Sequence, residues 1–461
     1  MFSQKTYLDR RTALLSKMDS GIIVIPGNRE VSMNFEDNWY HFRQDSTFLY
    51  YCGLQNPDLF LVMDIESEKT VLFGQEVSID DVIWSGPQPT LADRAMKSGV
   101  SEVKPVNEGI KFIKNALSSG RKVHALPDYR PEHKLFWSEK VGWGTFAHSE
   151  ILLRNIIGQR NIKTPEEIEE MHRASTITAA MHEAIMKTIR PGMFEFEVRA
   201  KVTQIAMELG GELSFPVIAT INGHILHNHY YHNELQEGRL LILDCGAETK
   251  MGYAGDRTST IPVASKFSSQ QKDVYNTVLN GYNKAVSMLK PGISYKEVHL
   301  QVAKVLASGL KEMGLMKGNL DDAVENGAHA LFMPHGLGHM LGLDVHDMEN
   351  FGEDLVGYDE KYVRSQQFGL RSLRLGRELE EGYVLTVEPG IYLIPELIKK
   401  WKSEKINTEF IDFSALESFS FTGGVRIEDD YLIEANSGTL LGEKLPRTIN
   451  EIEDLREEAL S

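Results

Sequence analysis

Short apolar runs alternate with turn residues over the first third of the chain. The runs at 21–27, 59–63 and 70–74 are bounded by Gly, Pro or polar residues, which predicts three buried strands. Helical patterns accompany them at 91–97 and 109–117. Strands interspersed with helices predict a small α/β domain.

A helix start follows this region. Thr164 is placed to cap the helix, and Glu167 is placed to close a capping box. The polar stretch 158–161 just before it is the best candidate for a domain boundary. The chain is therefore predicted to have two domains, 1–158 and 159–461.

The pattern of the second domain repeats. A Lys/Arg-Pro-Gly tripeptide follows a helical stretch and precedes another at both 190–192 and 290–292. Each copy is then followed by an apolar segment that carries Gly and His, at 218–228 and 333–347. Helix, turn, helix and strand, occurring twice, predict a duplicated α/β unit whose halves pack around one site. The alternative is coincidence, because Pro-Gly turns between helices are common.

Composition adds exclusions to this picture. Hydrophobic residues make up 42% and charged residues 25%, which is typical of a globular protein. The net charge of −17 repels phosphate backbones and anionic lipid, so we expect no nucleic-acid or membrane partner. Two cysteines cannot build a disulfide framework and suit a reducing cytosol, and no stretch approaches the ~18 apolar residues of a membrane helix. We expect a cytoplasmic protein.

Two aspartates flank a predicted hairpin. Asp244 ends the apolar run 240–243, where a lone carboxylate is costly to bury. Gly252 and Tyr253 allow a turn that brings Asp244 next to Asp256 on neighbouring strands. Adjacent carboxylates repel unless a cation lies between them, and a hard divalent ion suits that position. Each aspartate alone is equally well explained as the cap of a turn.

Three histidines lie close together further along, at His335, His339 and His346. The first two have the spacing of a zinc-binding helix, but Gly336 and Gly338 argue against a helix and no Glu follows the first histidine. A looped backbone would aim the imidazoles separately. One metal ligand and two acid–base or substrate-binding groups is the simplest division.

Two glutamates lie at or near the ends of later apolar runs. Glu388 follows 384–387, and Glu428 follows 423–427. A carboxylate at a buried strand end requires a cation or a hydrogen-bonding partner. For Glu428, Arg426 on the same strand face is an alternative partner to a metal.

The candidate groups are thus two Asp, two Glu and at least one His. Oxygen-rich ligation with one imidazole suits Mn²⁺, Fe²⁺, Co²⁺ or Zn²⁺ better than copper. Four carboxylates exceed the charge of one divalent ion, and two ions about 3.5–4 Å apart would balance them. The residues alone predict a dinuclear metal hydrolase.

In their order and flanking residues, these clusters resemble the creatinase/aminopeptidase P/methionine-aminopeptidase or "pita-bread" superfamily, and within it the Xaa-Pro dipeptidases (prolidases). Segment 42–54 is similar to one shared by aminopeptidase P and prolidase. The resemblance implies an α/β (α+β) fold. A small N-terminal aminopeptidase P/creatinase-like α/β domain would precede a pseudo-twofold pita-bread catalytic domain.

The resemblance also implies roles by position. It implies two divalent metal ions per chain, with Mn²⁺ preferred and Co²⁺, Zn²⁺ or Fe²⁺ as alternatives. The implied metal ligands are Asp244, Asp256, His339, Glu388 and Glu428. The implied catalytic groups are His335, His346 and Glu388, the last as a proton shuttle. The expected substrate-binding residues are His227, His335, His346, Arg374 and Arg426.

Arg374, within the segment 369–374, favours dipeptidase activity. In prolidases a matching arginine recognises the C-terminal carboxylate, and a guanidinium group binds a carboxylate bidentately. The alternative is a surface arginine in a basic patch. The resemblance implies that a metal-bound hydroxide hydrolyses Xaa-Pro dipeptides, that a proline-containing dipeptide or short peptide is the substrate, and that the chain forms a homodimer.

Two other functions are considered. One is aminopeptidase P activity on longer peptides with proline second, and the other is an inactive pita-bread module that binds peptides or proteins. Filled positions for all five ligands argue against the inactive module.

Arg257, after Asp256, departs from the family pattern and is a candidate to alter the pocket rim.

Overall fold

The computed structural model describes residues 1–142, 148–421 and 423–461. They divide into two compact units, Met1–Arg160 and Asn161–Ser461. The stretch 158–161 is helical. None of the helices in the described ranges combines the length and the apolar character that a bilayer-spanning segment requires.

The first unit contains one mixed sheet. Its strands are β1 (Ile22–Pro26), β2 (Phe60–Asp64), β3 (Lys69–Gly74), β4 (Glu102–Pro105) and β5 (Val123–His124). Its helices are α1 (Gln4–Leu15), α2 (Ser46–Cys52), α3 (Ile79–Ser85), α4 (Leu91–Lys97), α5 (Val106–Ser118) and α6 (Pro131–Val141), and α7 (Glu150–Asn161) ends on the first residue of the second unit. The strand order is β4-β3-β2-β1-β5.

The core of this unit explains the predicted strands. β1 and β2 are antiparallel, as are β2 and β3, while β4 pairs in parallel with β3 and β5 pairs in parallel with β1. Val24, Phe60 and Phe73 pack against Ile110 and Ile113 of α5 in one buried cluster. The predicted strands and the two predicted helices are confirmed as β1, β2, β3, α4 and α5.

The second unit is larger. Its helices are α8 (Pro165–Thr188), α9 (Glu195–Glu208), α10 (Ser269–Met288), α11 (Tyr295–Glu312), α12 (Leu320–Glu325), α13 (Glu353–Val356), α14 (Pro395–Glu404), α15 (Phe413–Ser418) and α16 (Ile449–Leu460). Its strands are β6 (Glu212–Leu213), β7 (Ile218–Thr220), β8 (Leu240–Cys245), β9 (Ala247–Glu248), β10 (Arg257–Pro262), β11 (Val384–Val387), β12 (Gly390–Leu393), β13 (Gly423–Arg426), β14 (Asp429–Ile433) and β15 (Gly438–Leu440). The predicted capping box of Thr164 and Glu167 is present at the start of α8.

The two halves of this unit repeat in backbone detail. α8 and α9 flank the first Pro-Gly turn, and α10 and α11 flank the second. The amide of Gly192 donates to the carbonyl of Leu235 at 2.9 Å, and Gly292 donates to Leu379 at the same distance. β8 pairs antiparallel with β10, and β11 does so with β14.

The repeat differs in one place from the prediction. Segment 218–228 contains the strand β7, whereas 333–347 forms turns and only Met340 makes a bridge, to Leu385. Gly338 explains the difference, because a Cβ there would lie 2.0 Å from the carbonyl oxygen of Thr386. The second segment is a close-packed loop beside β11.

Candidate metal and substrate site

The hairpin predicted around the first two aspartates is present. β8 and β10 pair with Asp244 opposite Thr258, and Asp256 directly precedes β10. A turn closed by Thr249 and Tyr253 carries Gly252 at φ +84°. The strand pairing therefore brings both carboxylates to one end of the ladder.

Arg257 does not reach the rim of this site. Arg257 is the first residue of β10 and is not among the described residues that line the cavity around Asp256. It is fully buried and donates to the carbonyl oxygens of Leu441 and Glu443. The expectation that it alters the pocket rim is wrong.

The glutamates reach the same place from the other half of the unit. Glu388 follows β11, and its amide donates to the carbonyl of Leu337 at 2.8 Å. Glu428 lies between β13 and β14 and bridges to Thr258 through the backbone. The Thr258 hydroxyl also donates to Glu428 Oε2 at 2.7 Å, which fixes that carboxylate beside β10.

His339 is oriented by the loop that carries it. Its backbone amide donates to the hydroxyl of Thr386, and its Nδ1 donates to the carbonyl of Met340 at 3.0 Å. A donating Nδ1 leaves a lone pair on Nε2. Nε2 lies 3.5 Å from an oxygen of Asp256 and 3.9 Å from one of Glu388.

Three buried groups form the tightest cluster. One ligand atom each from Asp256, His339 and Glu428 lies within 4.8 Å of the others. The surrounding cavity in the second unit has a volume of about 680 Å³. All ten residues predicted for the site line this cavity: His227, Asp244, Asp256, His335, His339, His346, Arg374, Glu388, Arg426 and Glu428.

The electrostatics of the cluster favour a cation. Burial, with the charge of Asp244 added, raises the pKa of Asp256 to about 8, and burial raises the pKa of Glu388 to about 7. Burial also raises the pKa of Glu428 well above its usual range. One oxygen each of Asp244 and Asp256 is buried without a hydrogen-bond partner among the described residues. These carboxyl groups have raised pKa values and oxygens without a hydrogen-bond partner. Both features suit the binding of divalent metal ions.

The guanidinium of Arg426 donates its hydrogen bonds to Asp244 and two hydroxyl groups, and not to Glu428. Its guanidinium donates to Asp244 Oδ2 at 2.6 Å, to the Thr258 hydroxyl at 3.0 Å and to the Tyr392 hydroxyl at 2.8 Å. β13 ends at Arg426, so strand alternation does not carry on to Glu428. Among the described residues Arg426 makes no hydrogen bond to Glu428, but its charge acts on that carboxylate and lowers the pKa that burial raises, so an electrostatic pairing of the two remains.

The histidines of the substrate side differ in their surroundings. His335 donates from Nδ1 to the carbonyl of Gly336 and accepts at Nε2 from Tyr392, while burial lowers its pKa to about 3. His346 donates from Nδ1 to Glu349 at 3.0 Å, and its ring lies 4.1 Å from that of His339. His227 is on the exposed edge of the cavity.

Arg374 is held at one end only. Its Nη1 donates to Glu349 and, at 2.9 Å, to Glu353. Nε and Nη2 make no hydrogen bond within 1–142, 148–421 and 423–461. The edge of the guanidinium that these two atoms form is therefore available to a ligand in the cavity.

Sequence reasoning missed two residues of this network. Tyr392 links His335 to Arg426, and Glu349 links His346 to Arg374. Tyr392 is one of several aromatic residues near a strand, and Glu349 follows His346 in a stretch without periodicity. Neither pattern distinguishes these residues from surface or core positions.

Comparison with known proteins agrees with this architecture. The sequence model of the family described as "Metallopeptidase family M24" matches residues 169–435, and that of "Aminopeptidase P, N-terminal domain" matches residues 7–124. The human Xaa-Pro dipeptidase is 31% identical over 445 residues, which cover 94% of this chain and 88% of that protein. The Xaa-Pro aminopeptidase of Escherichia coli (strain K12) is 32% identical over 478 residues, covering 98% of each chain.

Solved structures cover the whole chain. The Pseudomonas aeruginosa aminopeptidase PepP has a TM-score of 0.82 at 27% identity, and the alignment covers 100% of this chain and 99% of that structure's chain. The Escherichia coli aminopeptidase P with the inhibitor Pro-Leu has a TM-score of 0.81 at 30% identity, with the same coverage. The predicted mixed α/β architecture, with a small domain before the catalytic one, is confirmed.

Proposed function

Because the chain belongs to metallopeptidase family M24, we propose that it is an exopeptidase that hydrolyses Xaa-Pro dipeptides. Arg374 is the observation that carries this choice. Arg374 lines the same cavity as the cluster of Asp256, His339 and Glu428, and its Nε and Nη2 make no hydrogen bond to the described residues. A guanidinium edge binds a carboxylate bidentately. In an Xaa-Pro dipeptide, the C-terminal carboxylate belongs to the same proline whose nitrogen forms the scissile bond.

Five residues are assigned to the metal site, and we propose two divalent ions, with Mn²⁺ first and Co²⁺, Zn²⁺ or Fe²⁺ as alternatives. The ligands are Asp244, Asp256, His339, Glu388 and Glu428. The orphaned oxygens of Asp244 and Asp256 support this assignment. Ions bound there supply Lewis acidity towards a carbonyl group and lower the pKa of water.

Glu388 is assigned as the proton shuttle. One of its oxygens lies 3.9 Å from His339 Nε2 and the other 3.6 Å from His335 Nδ1, so it faces both the ligand cluster and the substrate side. The nitrogen of an Xaa-Pro bond carries no hydrogen and must gain a proton to leave. A carboxyl group between the two sides is placed to move that proton.

The remaining residues orient the substrate. His346 is held through Nδ1 by the Glu349 carboxylate, and we assign Nε2 as the donor to the scissile carbonyl oxygen in the protonated form of the ring. His335 and His227 line the cavity as further substrate contacts. Arg426 was expected to contact substrate, but protein atoms occupy donors on all three of its guanidinium nitrogens, which supports a positioning role on Asp244 and Tyr392.

Aminopeptidase P activity is the second candidate. The solved structures similar to this chain include aminopeptidase P of Escherichia coli and the Pseudomonas aeruginosa aminopeptidase PepP, which supports activity on longer substrates. The deciding experiment compares kcat/KM of the Mn²⁺-loaded enzyme for Ala-Pro and Ala-Pro-Ala. We expect Ala-Pro to be cleaved faster. Faster cleavage of the tripeptide would reject the dipeptidase and favour aminopeptidase P.

Assembly and location follow from the resemblance and the composition. We propose a homodimer in the cytoplasm, with a proline-containing dipeptide or short peptide as the substrate. The acidic net charge of −17 supports the expectation that nucleic acid is not a partner.

A further inference from the structure

Glu349 joins two groups that the proposed function places on either side of the substrate's proline, at the scissile carbonyl and at the C-terminal carboxylate. Its Oε2 accepts a hydrogen bond from His346 Nδ1 at 3.0 Å and another from Arg374 Nη1. Its Oε1 is buried and has no hydrogen-bond partner among the described residues. A carboxylate that gives one oxygen to two donors fixes the spacing between them.

The backbone holds Glu349 in this position. It opens a short 3-10 turn, Glu349–Phe351, and the preceding Met348 is in the left-handed region at φ +59°. A non-glycine residue there is unfavourable and persists only where its surroundings determine it. Met348 is fully buried, so packing supplies that constraint.

A second anchor on Arg374 comes from the same segment. Glu353 Oε1 accepts from Arg374 Nη1 at 2.9 Å, and Glu353 Oε2 pairs with Arg364 at 2.6 Å. Glu353 makes no hydrogen bond or ion pair with His346, so it restrains the arginine without linking it to the group at the scissile carbonyl. Glu349 and Glu353 therefore offer a matched comparison within five residues of the chain.

We propose that Glu349 is a positioning residue that determines substrate length, by fixing the distance between His346 and Arg374. This inference rests on the proposed function, in which His346 faces the scissile carbonyl and Arg374 the C-terminal carboxylate. In an Xaa-Pro dipeptide a single proline separates those two groups. A restrained guanidinium accepts the carboxylate at that one distance, whereas a loose one tolerates others.

The test measures KM and kcat for Ala-Pro and Ala-Pro-Ala with the full-length, Mn²⁺-loaded enzyme. Glu349→Ala is expected to raise the KM for Ala-Pro roughly tenfold, to lower kcat, and to reduce the preference over Ala-Pro-Ala, because it removes hydrogen bonds to charged or polar groups. Glu349→Gln retains an oxygen that accepts both bonds, and it is expected to retain most of the preference. Glu353→Ala is expected to raise KM for Ala-Pro with kcat unchanged.

Thermal unfolding of each variant checks that it is folded. If Glu349→Ala does not fold, Glu349→Asp replaces it, since its carboxylate is one methylene too short to reach both donors. The inference would be overturned if Glu349→Ala changed KM and kcat equally for the two substrates, or if its kcat equalled that of Glu353→Ala. A wild-type enzyme that prefers Ala-Pro-Ala would instead reject the proposed function, so the two failures are distinguishable.

Discussion

Two arginines line one cavity, and their hydrogen bonds separate their roles. Arg426 is buried and donates to Asp244, Thr258 and Tyr392, so each of its three guanidinium nitrogens already has a protein partner. Arg374 uses only Nη1 on protein carboxylates. The same side chain therefore serves as an internal support in one position and as a carboxylate receptor in the other.

Replacing Arg374 by Ala tests the receptor role. We expect the KM for Ala-Pro to rise by roughly tenfold to a hundredfold, because a charge-assisted hydrogen bond contributes about 1.5–3 kcal/mol. Cleavage of Ala-Pro-Ala should change much less, because its carboxylate lies one residue further away. Arg371→Ala is the control, since Arg371 is exposed and contacts Phe368. Equal losses for both substrates would argue against the role.

Asp256→Asn tests the cation site, because we expect it to stabilise the metal-free protein and to weaken the binding of metal. Without metal and at about pH 9, above the Asp256 pKa of about 8, the substitution removes a charge that burial and Asp244 disfavour, so the chelator-treated protein should unfold at a higher temperature. With Mn²⁺, the variant should retain fewer ions after dialysis, as measured by elemental analysis. Asp322→Asn, at an exposed position, should change neither quantity. Unchanged metal content in Asp256→Asn would contradict the ligand assignment.

The sequence predicts the candidate ligands better than their supports. Asp244 and Glu388 stand out because a carboxylate after an apolar run is costly to bury without a partner. Glu349 and Tyr392 carry no such signal, because their partners are far along the chain or on turns. Strand alternation predicts that Arg426 and Glu428 share a face, but alternation holds only while the strand continues, and the hydrogen bonds of Arg426 go to Asp244, Thr258 and Tyr392.

At the scale of elements, β11 and the loop before it locate His339. The loop packs so closely that Gly338 touches the backbone of Thr386, while Thr386 exchanges hydrogen bonds with His339. Pattern analysis predicts α8 and its capping box because these signals are local. At 333–347 the glycines correctly predict a looped backbone, but the strand implied by the repeat is absent, because the conformation is set by contacts with a strand about 50 residues away in sequence.

Gly338→Ala tests this packing. A Cβ there would lie 2.0 Å from a backbone oxygen, so the loop must move, and we expect a loss of about 2 kcal/mol or more in unfolding free energy together with weaker Mn²⁺ retention. Gly158→Ala is the matched control in α7, where a Cβ meets nothing within 4 Å. It should be neutral or stabilising by up to about 1 kcal/mol. Similar urea midpoints for the two variants would contradict the account.

At the scale of the whole molecule, both halves of the second unit supply the site. The first half contributes Asp244 and Asp256, and the second contributes His339, Glu388 and Glu428. The repeated hydrogen bonds at Gly192 and Gly292 show that the halves share a backbone plan. The charge excess of the chain lies mostly elsewhere, since only four of 66 acidic residues are assigned to the metal site.

Global stability is expected to fall in acid because of buried histidines. Burial lowers the pKa of His329 to about 4, and neither of its ring nitrogens has a partner among the described residues. His299 faces it at 5.9 Å between ring centroids, and burial lowers its pKa too. The unfolded chain binds a proton below about pH 6.5, so this contribution is complete above that pH and is lost as pH falls towards 4.

His329→Leu should therefore flatten the pH dependence. The difference in unfolding free energy between pH 7 and pH 4, measured in urea with chelator present, should shrink by roughly 3 kcal/mol. His172→Leu removes an exposed histidine and serves as the control. Parallel pH profiles for wild type and His329→Leu would contradict this assignment.

The central claim is that Arg374 receives a free carboxylate beside a metal-dependent site. It is tested most directly by comparing Ala-Pro with its carboxamide, which differs in one charge and almost nothing in shape. For the Mn²⁺-loaded enzyme the account predicts a kcat/KM lower for the amide by roughly tenfold or more, with both activities abolished by chelator. Equal kcat/KM values for the two substrates, or activity that survives full metal removal, would contradict it.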